Sequence, residues 1–165
     1  MIRKKPGYRK KRHVRDSHVE MTQLVVPNDT NQLGNLLGGR LMEWMDIAAA
    51  IAAQRHSNRV CVTAAVDDLV FHQPIRLGEV VTLRASVNRA FGSSMEVGVH
   101  VVAENQLTGE RKIANTAYLT FVAVDDQSAP VQVPPIDPQT AVEKRRYKEA
   151  LIRRNLRLKR RRSAN

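Results

Sequence analysis

Residues 38–56 read GGRLMEWMDIAAAIAAQRH, and the fold turns on them. Two glycines open a helix expected over Gly38 to about His56. Its second half, IAAAIAA (47–53), is apolar almost all round yet built of small residues. That composition suits a helix wrapped closely by a curved sheet better than one lying on a surface. Asp46 falls about two turns inside, with Met42, Ala49, Ala50 and Ala53 as its helical neighbours. Glu43, Ala50 and Gln54 project to one side, and Asp46 lies at the margin of that stripe. The residues alone leave two readings open: a functional carboxylate, or an edge carboxylate reaching water or Arg40.

Outward from the helix, the pattern is β. Before it, VEMTQLVV is a strand candidate and PNDTNQLGN is rich in turn formers. After it, Val81, Leu83, Ala85 and Val87 alternate with Thr82, Arg84, Ser86 and Asn88, and Met95, Val97, Val99 and Val101 share one face. Ala117, Leu119, Phe121 and Ala123 repeat the pattern. The connections, residues 91–94 and 105–110, are short enough to make the strands antiparallel hairpins. One long helix followed by a meander of strands is an α+β layout, in which the helix supplies the core that the sheet faces.

A chain of 165 residues with 42% apolar residues predicts one well-buried domain. It has no run of about 18 apolar residues, and its basic N-terminus has no apolar stretch behind it, so neither a membrane span nor a secretory signal is expected. A cytoplasmic location follows as the default. Cys61 is the single cysteine and reads as a small core residue. The net charge of +11 is unevenly placed. Residues 1–15 hold eight Lys/Arg and no acid, residues 139–165 hold eleven against two acids, and residues 16–138 hold eight against fourteen. Three segments are expected: a basic, disordered tail (1–19), a globular domain (20–138), and a basic C-terminal helical extension (139–165) with Ala141, Tyr147, Leu151 and Leu158 spaced for docking. The five histidines show no metal-ligand spacing, so no metal is expected, and no GxSxG or GxxxxGK motif occurs.

The order PNDTNQLGNLLGGRLMEWMDIAAAIAAQRHSN, VTAAVDDLVFHQPIRLGEVV, SSMEVGV and TAYLTFVAVD resembles the acyl-CoA thioesterase family with the hot-dog fold, the branch of bacterial acyl-CoA hydrolases and the cytosolic brain-type enzyme. The resemblance covers roughly residues 20–138, and RRYKEALIRRNLR is similar to that branch's arginine-rich C-terminal extension. It implies an antiparallel sheet wrapped around one central helix, and an obligate homodimer, commonly a trimer of dimers. It implies acyl-CoA hydrolysis to free fatty acid and CoA, with Asn31 from one protomer and Asp46 from its neighbour in each site. CoA would enter as part of the substrate, with no separate cofactor. Thr63, Ala64 and Ala65 would meet the pantetheine arm, Gly92, Ser93 and Ser94 the pyrophosphate, and Arg89 with the basic C-terminal helix the ribose phosphate. Phe71 and Pro74 would shape the acyl tunnel or the core, with the core favoured.

Thioester hydrolysis suits these residue types. A carboxylate can act as general base on water or attack directly as nucleophile, and partial desolvation makes a carboxylate more basic. Amides at Gly38 or Gly39, at a helix start with no side chain in the way, are suited to polarising the thioester oxygen. Asn31 would orient water or donate a second hydrogen bond; alternatively it is only a cap or an Asx-turn. The alternative function is a non-catalytic module that senses acyl-CoA or acyl carrier protein, with its basic tails on nucleic acid. Against it, residues 1–19 are too short for a helix-turn-helix, so nucleic acid is not an expected partner.

Overall fold

The computed structural model describes residues 10–164. Five long strands carry the sheet or edge it: β2 (Val19–Leu24), β3 (Val60–Phe71), β4 (Val80–Phe91), β5 (Ser94–Glu104) and β6 (Arg111–Val124). Their order is β2-β4-β5-β6-β3, every pair antiparallel. Helix α1 (Gly38–Ser57) lies across one face, and helix α2 (Ala141–Ser163) packs on the other. A short parallel pair joins β1 (Arg12–His13) to β7 (Ile136–Asp137).

The alternation along the strands determines which face is covered. Val81, Leu83, Ala85 and Val87 pair with Ala103, Val101, Val99 and Val97, and all eight are buried beneath α1. Ala117, Leu119, Phe121 and Ala123 continue that face across β6. Against it α1 presents Leu41, Met45, Ala48, Ala49, Ala52 and Ala53, all buried. The alanines let the helix axis approach the curved sheet closely enough to exclude water. The hairpin at Gly92, whose φ of +73° is open to glycine at little cost, joins β4 to β5.

The expected disordered tail does not extend to residue 19. Residues 1–9 lie outside the described residues, but Val14, Ser17 and Val19 are buried. Ser17 Oγ accepts the backbone N–H of Val87 at 2.9 Å, and Arg12 donates to the carbonyl of Arg55 at 2.8 Å. Two valines and a hydrogen-bonded serine tie the segment to the core, despite its charge.

Helix α2 docks mainly through arginines. Thr140 caps it with Glu143 in a reciprocal capping box, and Ala150 is fully buried. Arg153 makes a two-pronged ion pair with Glu96 (2.7 and 3.0 Å) while its guanidinium stacks 3.6 Å from the Tyr118 ring centre. Arg157 pairs with Asp67 of β3. Tyr147 takes part as expected, but Leu151 remains exposed. Three of the eleven C-terminal cations, Arg153, Arg157 and Arg154 over the Phe91 ring, are spent on holding α2 to the sheet.

Candidate active site

Asp46 projects from the margin of α1 toward β3, where Thr63 Oγ1 donates to its Oδ1 at 2.6 Å. Arg40 does not reach it, because its guanidinium is committed to Asp29 (3.1 Å) and Glu43 (2.7 Å). Asp46 and Thr63 line a recess of about 350 Å³ with Gly39, Met42, Val66 and Leu69. A carboxylate held by one hydroxyl, in a recess whose other walls are apolar apart from Glu43, keeps its second oxygen available for chemistry.

Asn31 sits in the loop before α1. Its Oδ1 accepts the backbone N–H groups of Leu33 (3.0 Å) and Asn35 (3.2 Å), so the Asx-turn reading is correct as local structure. With Oδ1 so engaged, what the side chain can offer a ligand is its Nδ2 donor. Asn31 lines a second recess, about 360 Å³, with Gly38, Leu41, Phe71 and Pro74. Phe71 is 49% exposed and Pro74 is exposed, so the favoured core assignment for this pair is corrected: they wall the recess, and the Phe71 ring lies against Gly38.

The two recesses flank the start of α1. Leu37, at the N-cap, contributes no side-chain hydrogen bond, so the first-turn amides of Gly38 and Gly39 have no capping group. They are the unsatisfied donors that every helix start presents. Within one chain, however, Asn31 and Asp46 line separate recesses.

The other expected contact residues fall as follows. Ala64 is skipped in the β3–β6 register between Thr63 and Ala65, so a bulge sits beside Asp46's partner on the edge strand. The carbonyls of Gly92 and Ser93 accept the amides of Val133 and Ala123. Ser94 Oγ donates to the Phe91 carbonyl. Arg89 is brought together with the C-terminal helix, but its guanidinium stacks on Tyr147 at 4.0 Å and donates to that residue's carbonyl. Among the described residues, no three His, Cys, Asp or Glu side chains converge as metal ligands. Among them, too, no helix is long and apolar enough to cross a membrane.

The sequence reading missed the hydrogen bond between Thr63 and Asp46. Seventeen residues separate the two, and no local periodicity links them.

The sequence and fold match known proteins. Residues 33–110 fit the model of the thioesterase superfamily. A curated acyl-CoA thioester hydrolase of Bacillus subtilis, itself uncharacterized, is 42% identical over 92% of this chain and 88% of its own length. The acyl-CoA hydrolase of Staphylococcus aureus, solved in complex with butyryl coenzyme A, coenzyme A and coenzyme A disulfide, superposes with a TM-score of 0.87 at 36% identity, covering 93% of this chain and 94% of that one. The same enzyme has been solved with an Asp, a Thr and an Asn each replaced by Ala. An acyl-CoA thioesterase described as hexameric superposes with a TM-score of 0.89 at 40% identity, covering 92% of this chain and 97% of that one. The chain spans only about a quarter to a third of the length of its mouse relatives, such as acetyl-coenzyme A thioesterase (37% identical over 88% of this chain, 26% of the relative). The chain belongs to the thioesterase superfamily, in the acyl-CoA thioesterase branch of the hot-dog fold.

Proposed function

We propose that this protein hydrolyses acyl-CoA to a free fatty acid and CoA, at sites formed where two copies pair. The observation that carries this reading is the carboxylate of Asp46, fixed by Thr63 beside a helix start with uncapped amides. Asp46 activates water as general base or attacks the thioester carbon itself. The amides of Gly38 or Gly39 stabilise the oxyanion that forms, and Asn31 Nδ2 adds a donor. Thr63 is a positioning residue for Asp46. The proposal needs no cofactor beyond the CoA moiety of the substrate. The Asp, Thr and Asn replaced in the S. aureus enzyme are the residue types this chain holds at 46, 63 and 31.

Pairing supplies what one chain lacks. β3 is bonded to β6 on one side and is a sheet edge on the other, and it exposes Val60, Val62, Val66 and Val70. Beside Asp46, Met42 and Ile47 are exposed as well. A long apolar edge strand with an apolar helix flank is a surface that demands a partner. A second copy, docked edge to edge about a two-fold axis, brings the Asn31 recess of one protomer to the Asp46 recess of the other. Further assembly to a trimer of dimers agrees with the hexameric relative. Cytoplasmic location fits a chain whose single cysteine is a free, half-buried thiol.

The test is release of free CoA thiol from a panel of acyl-CoA chain lengths, by the wild type and by Asp46→Ala. Turnover by the wild type that falls at least a thousandfold in Asp46→Ala is the expected result; equal turnover removes Asp46 from the mechanism.

A further inference from the structure

The sheet face opposite α1 holds a cavity of about 630 Å³, separate from both recesses at the start of α1. Two transverse rows of side chains build it. In the first, Glu20, Arg84, His100 and Thr116 stand opposite one another across β2, β4, β5 and β6. In the second, Ser86, Gly98 and Tyr118 are aligned across β4, β5 and β6. Gly98 makes the hollow. It has no side chain between Ser86 and Tyr118, and a Cβ there would lie 2.9 Å from Asn88 Nδ2. Arg146 of α2 and His18, just before β2, complete the walls.

The charge of this cavity is unbalanced. Glu20 is its one acid, and it is spent on Arg84 at 2.7 Å. Glu143, the nearest acid on α2 toward its N-terminus, holds the backbone amides of Gln139 and Thr140. Arg146 has no ion-pair partner among the described residues. Burial, and then the cations of Arg146 and Arg84, hold His100 below the usual histidine range. His100 Nδ1 lies 3.4 Å from Thr116 Oγ1, which leaves its Nε2 for another group.

We infer that this cavity is a second binding site, for the phosphate or pyrophosphate group of a small molecule, with Arg146 as its principal anchor and His18, His100, Ser86 and Thr116 as hydrogen-bonding groups. An unpaired guanidinium beside hydroxyls and imidazoles is the donor set that phosphate oxygens require. The volume exceeds that of inorganic phosphate and falls in the range of cavities that hold small organic ligands, so the phosphate arrives on a larger body. Such a ligand would touch β2, β4, β5, β6 and α2 at once, and so would tie the C-terminal helix to the sheet. Its walls share no residue with the Asp46 or Asn31 recess.

The experiment is a titration of the full chain with inorganic pyrophosphate, followed by long-range ¹H–¹⁵N spectra of the histidine side chains. Saturable shifts confined to His18 and His100, with His56 unmoved, are expected. Arg146→Gln should weaken binding at least tenfold and Arg146→Lys by less, while Asp46→Ala should bind as the wild type does. Displacement of pyrophosphate by lower concentrations of adenosine 3′,5′-bisphosphate would identify the nucleotide end of CoA as the occupant; displacement only by other phosphorylated small molecules would identify a separate effector. Shifts that never saturate, shifts shared by every histidine, unaltered affinity in Arg146→Gln, or lost affinity in Asp46→Ala would each overturn the inference.

Discussion

Replacing Thr63 by Val removes one hydroxyl and keeps the side-chain volume, so it isolates the 2.6 Å hydrogen bond to Asp46. A hydrogen bond to an ionised carboxylate contributes about 1.5–3 kcal/mol when shielded. Thr63 is exposed and Asp46 only half-buried in the single chain, which argues for a value at or below the lower end of that range, about 1–2 kcal/mol. If the bond serves to aim the carboxylate, the loss is felt in the transition state, and kcat falls roughly 5- to 30-fold. KM for a short acyl-CoA changes little, because Thr63 is then not a binding contact. Thr63→Ser, which restores the donor, recovers most of the rate. Steady-state thiol release by the three proteins decides the matter. A raised KM with kcat intact in Thr63→Val would show that Thr63 meets the pantetheine arm instead, and the positioning argument would be refuted.

Other perturbations follow from the same structure. Arg153→Met leaves the Glu96 carboxylate buried against Asn88 without its cation, a defect worth about 3–5 kcal/mol. Thermal unfolding should therefore fall by roughly 6–20 °C, and the double change Glu96→Gln with Arg153→Met should recover most of it. A double variant no more stable than Arg153→Met alone would contradict the ion-pair account. His56 is fully buried with Nε2 donating to the Pro134 carbonyl at 2.7 Å, and burial holds its protonation below the usual 6.5. The unfolded chain takes up that proton first, so stability is lost as pH falls below 6.5 toward the lower folded value, at no more than about 1.4 kcal/mol per pH unit for this group. Denaturant unfolding between pH 7.5 and 5 should show a weaker slope in His56→Gln; an unchanged slope would exclude His56 as its source.

The fold was legible because each strand has one covered face. Val81 to Val87, Met95 to Val101 and Ala117 to Ala123 announce themselves by strict alternation, and the small residues of α1 signal a close approach to the sheet. The packing of residues 12–19 was not legible: Val14 and Val19 are two apolar residues amid strong charge, and what anchors them is a serine bonded to Val87, seventy positions away. The means by which α2 docks were hidden for a related reason. An apolar stripe can be read from helical spacing, but Arg153 reaches Glu96 and Arg157 reaches Asp67 across 57 and 90 residues. Basic residues look alike in sequence whether they are solvated, paired or stacked on a ring. At the site, Asp46 stood out as a carboxylate among alanines. Its partner Thr63 did not, because a threonine in a strand is ordinary until the register of β3 places it against α1.

The most direct test of the account is complementation between two inactive variants. Asn31→Ala and Asp46→Ala, each without turnover alone, are mixed in equal amounts, dissociated and allowed to reassociate. If every site takes Asn31 from one subunit and Asp46 from its partner, half of the dimers are mixed and each of those carries one intact site, so activity returns to about a quarter of the wild-type level. A mixture as inactive as its components, in dimers shown to have exchanged subunits, would contradict the shared site.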